Sequence, residues 1–176
     1  MNKTKKSCKE IREQVVLFLL FITSEDCLQA YENSISQEKL AFELSRIWFD
    51  EIYIPGMIYL VDGLKGNFSE NNAREFEKCF TEKEFKSLER FHRFFELRMD
   101  MLSKDMKKKG TIPQNDSWQH LKKHASYLAD ELEPNADEKR KHLERMVKDG
   151  LLDDGKLLKG SIRDKWVLPL TTTMDK

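Results

Sequence analysis

Only three cysteines, Cys8, Cys27 and Cys79, occur in 176 residues, and none forms a CxxC pair. An odd, widely spaced set argues against a zinc site built on thiolates, and the expected state is three reduced thiols, structural or incidental, in a cytoplasm. A chain of this length buries enough surface to fold without a disulfide framework. Glycine (7) and proline (4) are sparse, and no Gly-rich phosphate loop, internal repeat or low-complexity tract is present. Charge of one sign is missing too: 31 basic residues stand against 31 acidic ones. No global field therefore draws the chain to nucleic acid or membrane, and any such binding must come from a local patch. The apolar run VVLFLLFI (Val15–Ile22) is far shorter than the roughly 20 residues needed to cross a bilayer. Glu10 and Glu13 precede it and no small-residue cleavage pattern follows, so it reads as part of a packed helix rather than a leader.

Helical periodicity dominates what is there. Ile11, Val15, Phe18, Leu19 and Ile22 form one stripe of a first helix. Ser24 or Asp26 can cap a short second helix to about Asn33. Ser36 opens a longer one with Leu40, Leu44, Ile47 and Ile54 on its face, ended or kinked at Pro55-Gly56. A further turn or two of helix closes in a loop at Gly63 to Asn67, and a short helix spans Ser69 to Phe80. Thr81 caps a long helix whose stripe is Phe85, Leu88, His92, Phe95, Met99 and Leu102, ending near Lys109 and Gly110. The basic run Lys104 to Gly110 offsets the negative end of that helix's dipole. TIPQND is a linker, Ser117 caps a helix to Leu132, and a last helix runs from about Ala136 to Asp149. Beyond it, Asp154-Gly155 carries a hairpin-turn signal and WVLPLTTT has strand-like composition broken by Pro169.

Two polar groups interrupt apolar stripes. Glu51 lies one turn from Ile47 and Ile54, and a buried carboxylate needs a partner, with His92, Arg46, Arg90 or Arg93 available. His92 lies between Leu88 and Phe95, and Glu89 and His92 form an E-x-x-H step, the spacing by which helical bundles hold a metal. That step occurs once, whereas a di-iron bundle needs it twice. A helical-bundle metal-binding protein or enzyme using Glu51, Glu89 and His92 is therefore the alternative, against a hydrogen-bonded core histidine. His120 and His124 are one turn apart at the edge of the stripe Leu121, Ala125, Leu128, Leu132. FDEIYIPG beside the helix break could let a ligand reach backbone groups, although such breaks more often serve packing. No Ser/His/Asp or Cys/His arrangement can be assembled, so the expected role is non-enzymatic and without a cofactor.

The stretch YLADELEPNADEKRKHLERMVKDGLLDDGKLL (Tyr127 to Leu158) resembles the second helix, reading helix and wing of winged helix-turn-helix domains. Leu128, Ala129 and Leu132 match the first helix end, Leu143 and Met146 the inward positions of the reading helix, and Gly150-Leu151 the entry to the wing. The resemblance implies that Lys141, His142, Arg145 and Lys148 face nucleic acid. Asp137 and Glu138 at the leading end, with charge balanced across the module, imply weak phosphate binding. The expected architecture is mainly α: a helical bundle over 1–110 and a winged-helix-like module with a short β-hairpin over 111–176. The expected partner is DNA first and another protein second, with a homo-oligomer as a further possibility and no membrane association.

Overall fold

The computed structural model describes residues 6–32, 43–55, 70–109 and 115–148, and every regular element among them is helical. Helix α1 spans Cys8–Thr23. It opens with a capping box: Ser7 Oγ accepts from the Glu10 N–H at 3.2 Å, and Glu10 Oε2 accepts from the Ser7 N–H at 2.6 Å. From Val15 to Ile22 every side chain is at most 4% exposed. The expected single stripe is therefore too narrow. A helix apolar on all sides has no face to give to solvent. It becomes the centre of the fold, touched by α2 (Glu25–Glu32), a π-helical turn (Trp48–Ile52), α5 (Asp116–Leu132) and α6 (Ala136–Lys148).

The remaining elements are α3 (Glu70–Glu77) and the long α4 (Glu82–Lys109). Ser24 ends α1 and also caps α2, its Oγ accepting from the Cys27 N–H at 3.3 Å. Thr81 caps α4 as expected, in a second box: its Oγ1 accepts from the Glu84 N–H and its own N–H donates to Glu84 Oε2 at 2.7 Å. The cap of α5 is Asn115 rather than Ser117. Asn115 has the extended backbone a cap requires and accepts from the N–H groups of Ser117 and Trp118, whereas Ser117 is buried inside the helix. Leu40, the segment around Gly63 and the tail with its hairpin and strand signals lie outside the described residues.

Residues 116–148 do not bear out a winged helix. Among the described residues there is no strand, and the expected wing lies outside them. Helix α5 packs against α1 and α4, and α6 packs against α1 and α2, so both join the one apolar cluster that runs through the fold. Leu128, Ala129, Leu132, Leu143 and Met146 are all buried. Any two helices joined by a short turn and burying their inner faces reproduce that spacing, which is why it misleads.

The thiols also depart from expectation. Cys8 and Cys79 form a disulfide across a sequence separation of 71, and Cys27 alone is free. Beside the disulfide, Arg12 ties three elements together. Its guanidinium donates to Glu84 twice, at 2.9 and 2.8 Å, to the Cys79 carbonyl at 3.1 Å and to the Leu132 carbonyl at 3.3 Å. It also lies over the Phe80 ring. The hydrogen bonds from Arg12 hold the Glu84 carboxyl down to about 2, against an ordinary 4.5. A depressed carboxylate stabilises the fold above its unfolded value and loses that contribution as pH falls. Glu84→Gln is expected to remove about 2 kcal/mol at neutral pH, allowing for the partly solvent-screened guanidinium. Urea titrations from pH 5 to pH 2 check this: the wild-type midpoint should fall across that window and converge on the variant's.

Candidate functional site

The π-helical turn brings a polar contact into the aromatic core. Its closing bond runs from the Tyr53 N–H to the Trp48 carbonyl, 2.8 Å away and five residues back. In an α-helix, residues five apart point about 140° away from each other. Here Trp48 and Tyr53 stack, with centroids 5.6 Å apart and planes 6° from parallel. The wider turn thus turns both rings to α4, together with Phe49.

His92 on α4 receives them. Tyr53 stacks on the imidazole at 4.3 Å, Phe49 meets it edge-on at 5.3 Å, and Trp48 Nε1 donates to His92 Nδ1 at 3.2 Å. This bond leaves the ring hydrogen of neutral His92 on Nε2. Trp48 has no exposed surface and is enclosed by Phe18, Phe91 and Phe95. Burial pushes the His92 pKa below its ordinary 6.5; Glu96 and Glu89 pull it up, and Arg93 pushes it down. A second proton would also need the nitrogen that Trp48 already occupies.

The pH dependence follows from that sign. Because the folded chain binds the proton less readily than the unfolded chain, the contribution is complete above pH 6.5 and is lost as pH drops below it. The melting temperature should fall between pH 7.5 and pH 5, and His92→Asn, which retains an acceptor for Trp48, should flatten that slope. An unchanged slope in the variant would assign the pH response elsewhere.

The proposed metal ligands do not gather. Glu51 accepts from Arg46 Nη1 at 2.6 Å, and Arg46 also donates to Glu43 at 3.0 Å, so the carboxylate's expected partner is Arg46. Glu89 is half-buried one turn before His92. Among the described residues no group of three His, Cys, Asp or Glu side chains is placed to hold a metal ion.

Lys141, His142, Arg145 and Lys148 are all exposed on α6, opposite the buried Ala136, Leu143 and Met146. Lys148 is paired with Asp26 of α2 at 3.1 Å. Arg145 Nε turns back on its own helix and donates to the Lys141 carbonyl at 3.2 Å.

A second surface lies along the outer side of α4 and α5. The large apolar side chains that are exposed among the described residues are Leu97 (57%), Met101 (41%) and Tyr127 (62%), and all belong to these two helices. The seam between them is marked by the Phe94 and His124 rings, 4.2 Å apart. Arg98 lies over Phe94 and Lys123 over Tyr127, and Arg90, Arg93 and His120 are exposed on the same two helices. The aromatic-rich FHRFFELRM does supply core residues in Phe91, Phe95 and Met99. Leu97, off their stripe and one turn from Met101, is the sequence signal for a second face.

No protein-family model, curated protein or solved structure matches this chain. Its chemistry must therefore be read from these surfaces alone. The described residues include no helix long and apolar enough to cross a membrane.

Proposed function

We propose that the protein is a non-enzymatic binding protein that docks another protein on the α4/α5 seam. The observation that carries this is that the large apolar side chains exposed among the described residues, Leu97, Met101 and Tyr127, all belong to this one pair of packed helices. Single exposed apolar residues need no explanation, but Leu97 and Met101 stand one turn apart on the same helix and so expose adjacent apolar surface. Aromatic residues, methionine and arginine are the types enriched at protein interfaces, and Tyr127, Met101, Arg90 and Arg93 supply them here. The partner chemistry that fits is an apolar ridge flanked by acidic residues, which would meet Arg90, Arg93 and Lys123. The core around His92 supports packing rather than chemistry, because Trp48, Phe49 and Tyr53 engage the imidazole on three sides.

Capture by the full chain tests this with two variants in parallel. Proteins retained by the wild type should be retained equally by Lys141→Ala/Arg145→Ala and lost, roughly 30-fold or more in affinity, with Leu97→Asp/Tyr127→Ala. Equal retention by all three sinks the reading. The exposed Lys141 and Arg145 favour a second reading, nucleic-acid binding. In that case duplex DNA should raise fluorescence anisotropy with a steep salt dependence, weakened by Arg145→Ala and untouched by the seam variant.

A further inference from the structure

The three cysteines occupy different environments. Cys27 is buried, with 1% of its surface exposed, and burial pushes its thiol up to about 11, so it is protonated and shielded at neutral pH. Cys8 is exposed at the first position of α1, whereas Cys79 is only 7% exposed in the turn between α3 and α4. Their disulfide thus joins an exposed residue to one on the buried side. On that side stands a cation: Arg12, one helical turn after Cys8, donates to the Cys79 carbonyl at 3.1 Å.

We infer that Cys8–Cys79 is a reversible thiol–disulfide exchange site, attacked at Cys8 by a small-molecule monothiol. The thiolate of the first monothiol bonds to Cys8 Sγ and the Cys8–Cys79 bond breaks. Cys79 leaves as a thiolate and takes up the proton the first monothiol gave to solvent, its sulfur then free to donate to the Glu75 carbonyl 3.2 Å away. A second thiolate then attacks the monothiol's own sulfur in the mixed disulfide and expels the Cys8 thiolate from the N-terminus of α1, where the helix dipole favours it. Two monothiols are oxidised to their disulfide, the protein disulfide is reduced to two thiols, and no other oxidant or reductant is needed.

The exchange has a structural readout. Cys79 follows directly on α3, whose Phe76 is fully buried and meets Tyr53 edge-on at 5.7 Å. Tyr53 in turn stacks on both Trp48 and His92. Opening the disulfide frees the α3 end of that chain of rings. Arg12 continues to hold the same junction through Glu84 and the Leu132 carbonyl, so the fold survives reduction.

The test uses the full chain and glutathione as the monothiol. Air-oxidised protein should yield a Cys8–Cys79 cross-linked peptide on mass-spectrometric mapping. Native reduction should proceed at a rate unaffected by urea below the unfolding transition, with a shift in Trp48 fluorescence that Trp48→Phe abolishes. Cys79→Ser should trap one glutathione on Cys8 and none on Cys27. Cys8→Ser should leave Cys79 at least ~10-fold slower to react. A disulfide that forms between other cysteines or not at all, reduction that tracks global unfolding, or glutathione found on Cys27 overturns the assignment. The wild-type kinetics decide the matter even where a cysteine variant fails to fold.

Discussion

Trp48→Ala is expected to lower the free energy of unfolding by about 4 kcal/mol, a large share of the total for a domain of this size. The indole has no exposed surface and touches Phe18 on the central helix, Phe91 and Phe95 on α4, and Tyr53 at the end of the π-helical turn. Truncation leaves a cavity bounded by aromatic rings that are also packed against one another, as Phe18 is on Phe95, so collapse into the space is restricted. It also strips His92 Nδ1 of its donor. Trp48→Phe separates these effects. It keeps most of the apolar volume and loses the indole N–H, and should cost about half as much. Equilibrium urea unfolding followed by circular dichroism measures both. A loss under about 1 kcal/mol for Trp48→Ala would mean that the π-helical turn does not close the core as described.

Cys8→Ser should cost a comparable amount for a different reason. The disulfide closes a chain separation of 71 residues, and losing that restraint from the unfolded ensemble is worth about 4 kcal/mol in the chain-entropy account. The variant should therefore unfold at lower urea concentration with a larger dependence on urea, because its unfolded chain is more open. Added reductant should bring the wild type to the same midpoint and leave the variant unmoved. The Arg12 clasp limits the damage at the junction itself. Arg12 bonds both Glu84 and the Cys79 carbonyl, so the ion pair and the disulfide share one junction and the Cys8→Ser and Glu84→Gln losses should couple rather than add.

Much of the architecture is legible in the order of residues. The α5 stripe, the Leu88, Phe95 and Met99 positions of the α4 stripe, the cap at Thr81, the turn before Ala136 and the need of Glu51 for a partner all follow from short-range rules, and each holds. Ser7-Cys8-Lys9-Glu10 is a capping-box pattern that stands openly in the chain and fits the start of α1. The winged-helix resemblance fails for an instructive reason. Helix spacing reports which residues face inward and not what they face, and α5 and α6 face α1.

The seam is harder to see. Periodicity locates the largest apolar face of a helix, and a smaller second face at Leu97 and Met101 reads as scatter until neighbouring helices show what is left uncovered. The disulfide is invisible for a similar reason. Cysteine counting weighs number and spacing, whereas pairing depends on bringing Cα atoms within 4.9 Å across 71 positions, and only the fold does that.

By itself the sequence determined an α-helical chain with the Thr81 cap, the buried stripe of α5 and the place of His92 on the α4 stripe, because these depend on residues within a turn or two of one another. Tertiary structure alone decided that α1 is enclosed on all sides from Val15 to Ile22, that Trp48 donates to His92, that Cys8 meets Cys79 and that Leu97, Met101 and Tyr127 remain outside. Those are relations between distant segments. Local propensity is blind to them, because their energy exists only once the helices have packed.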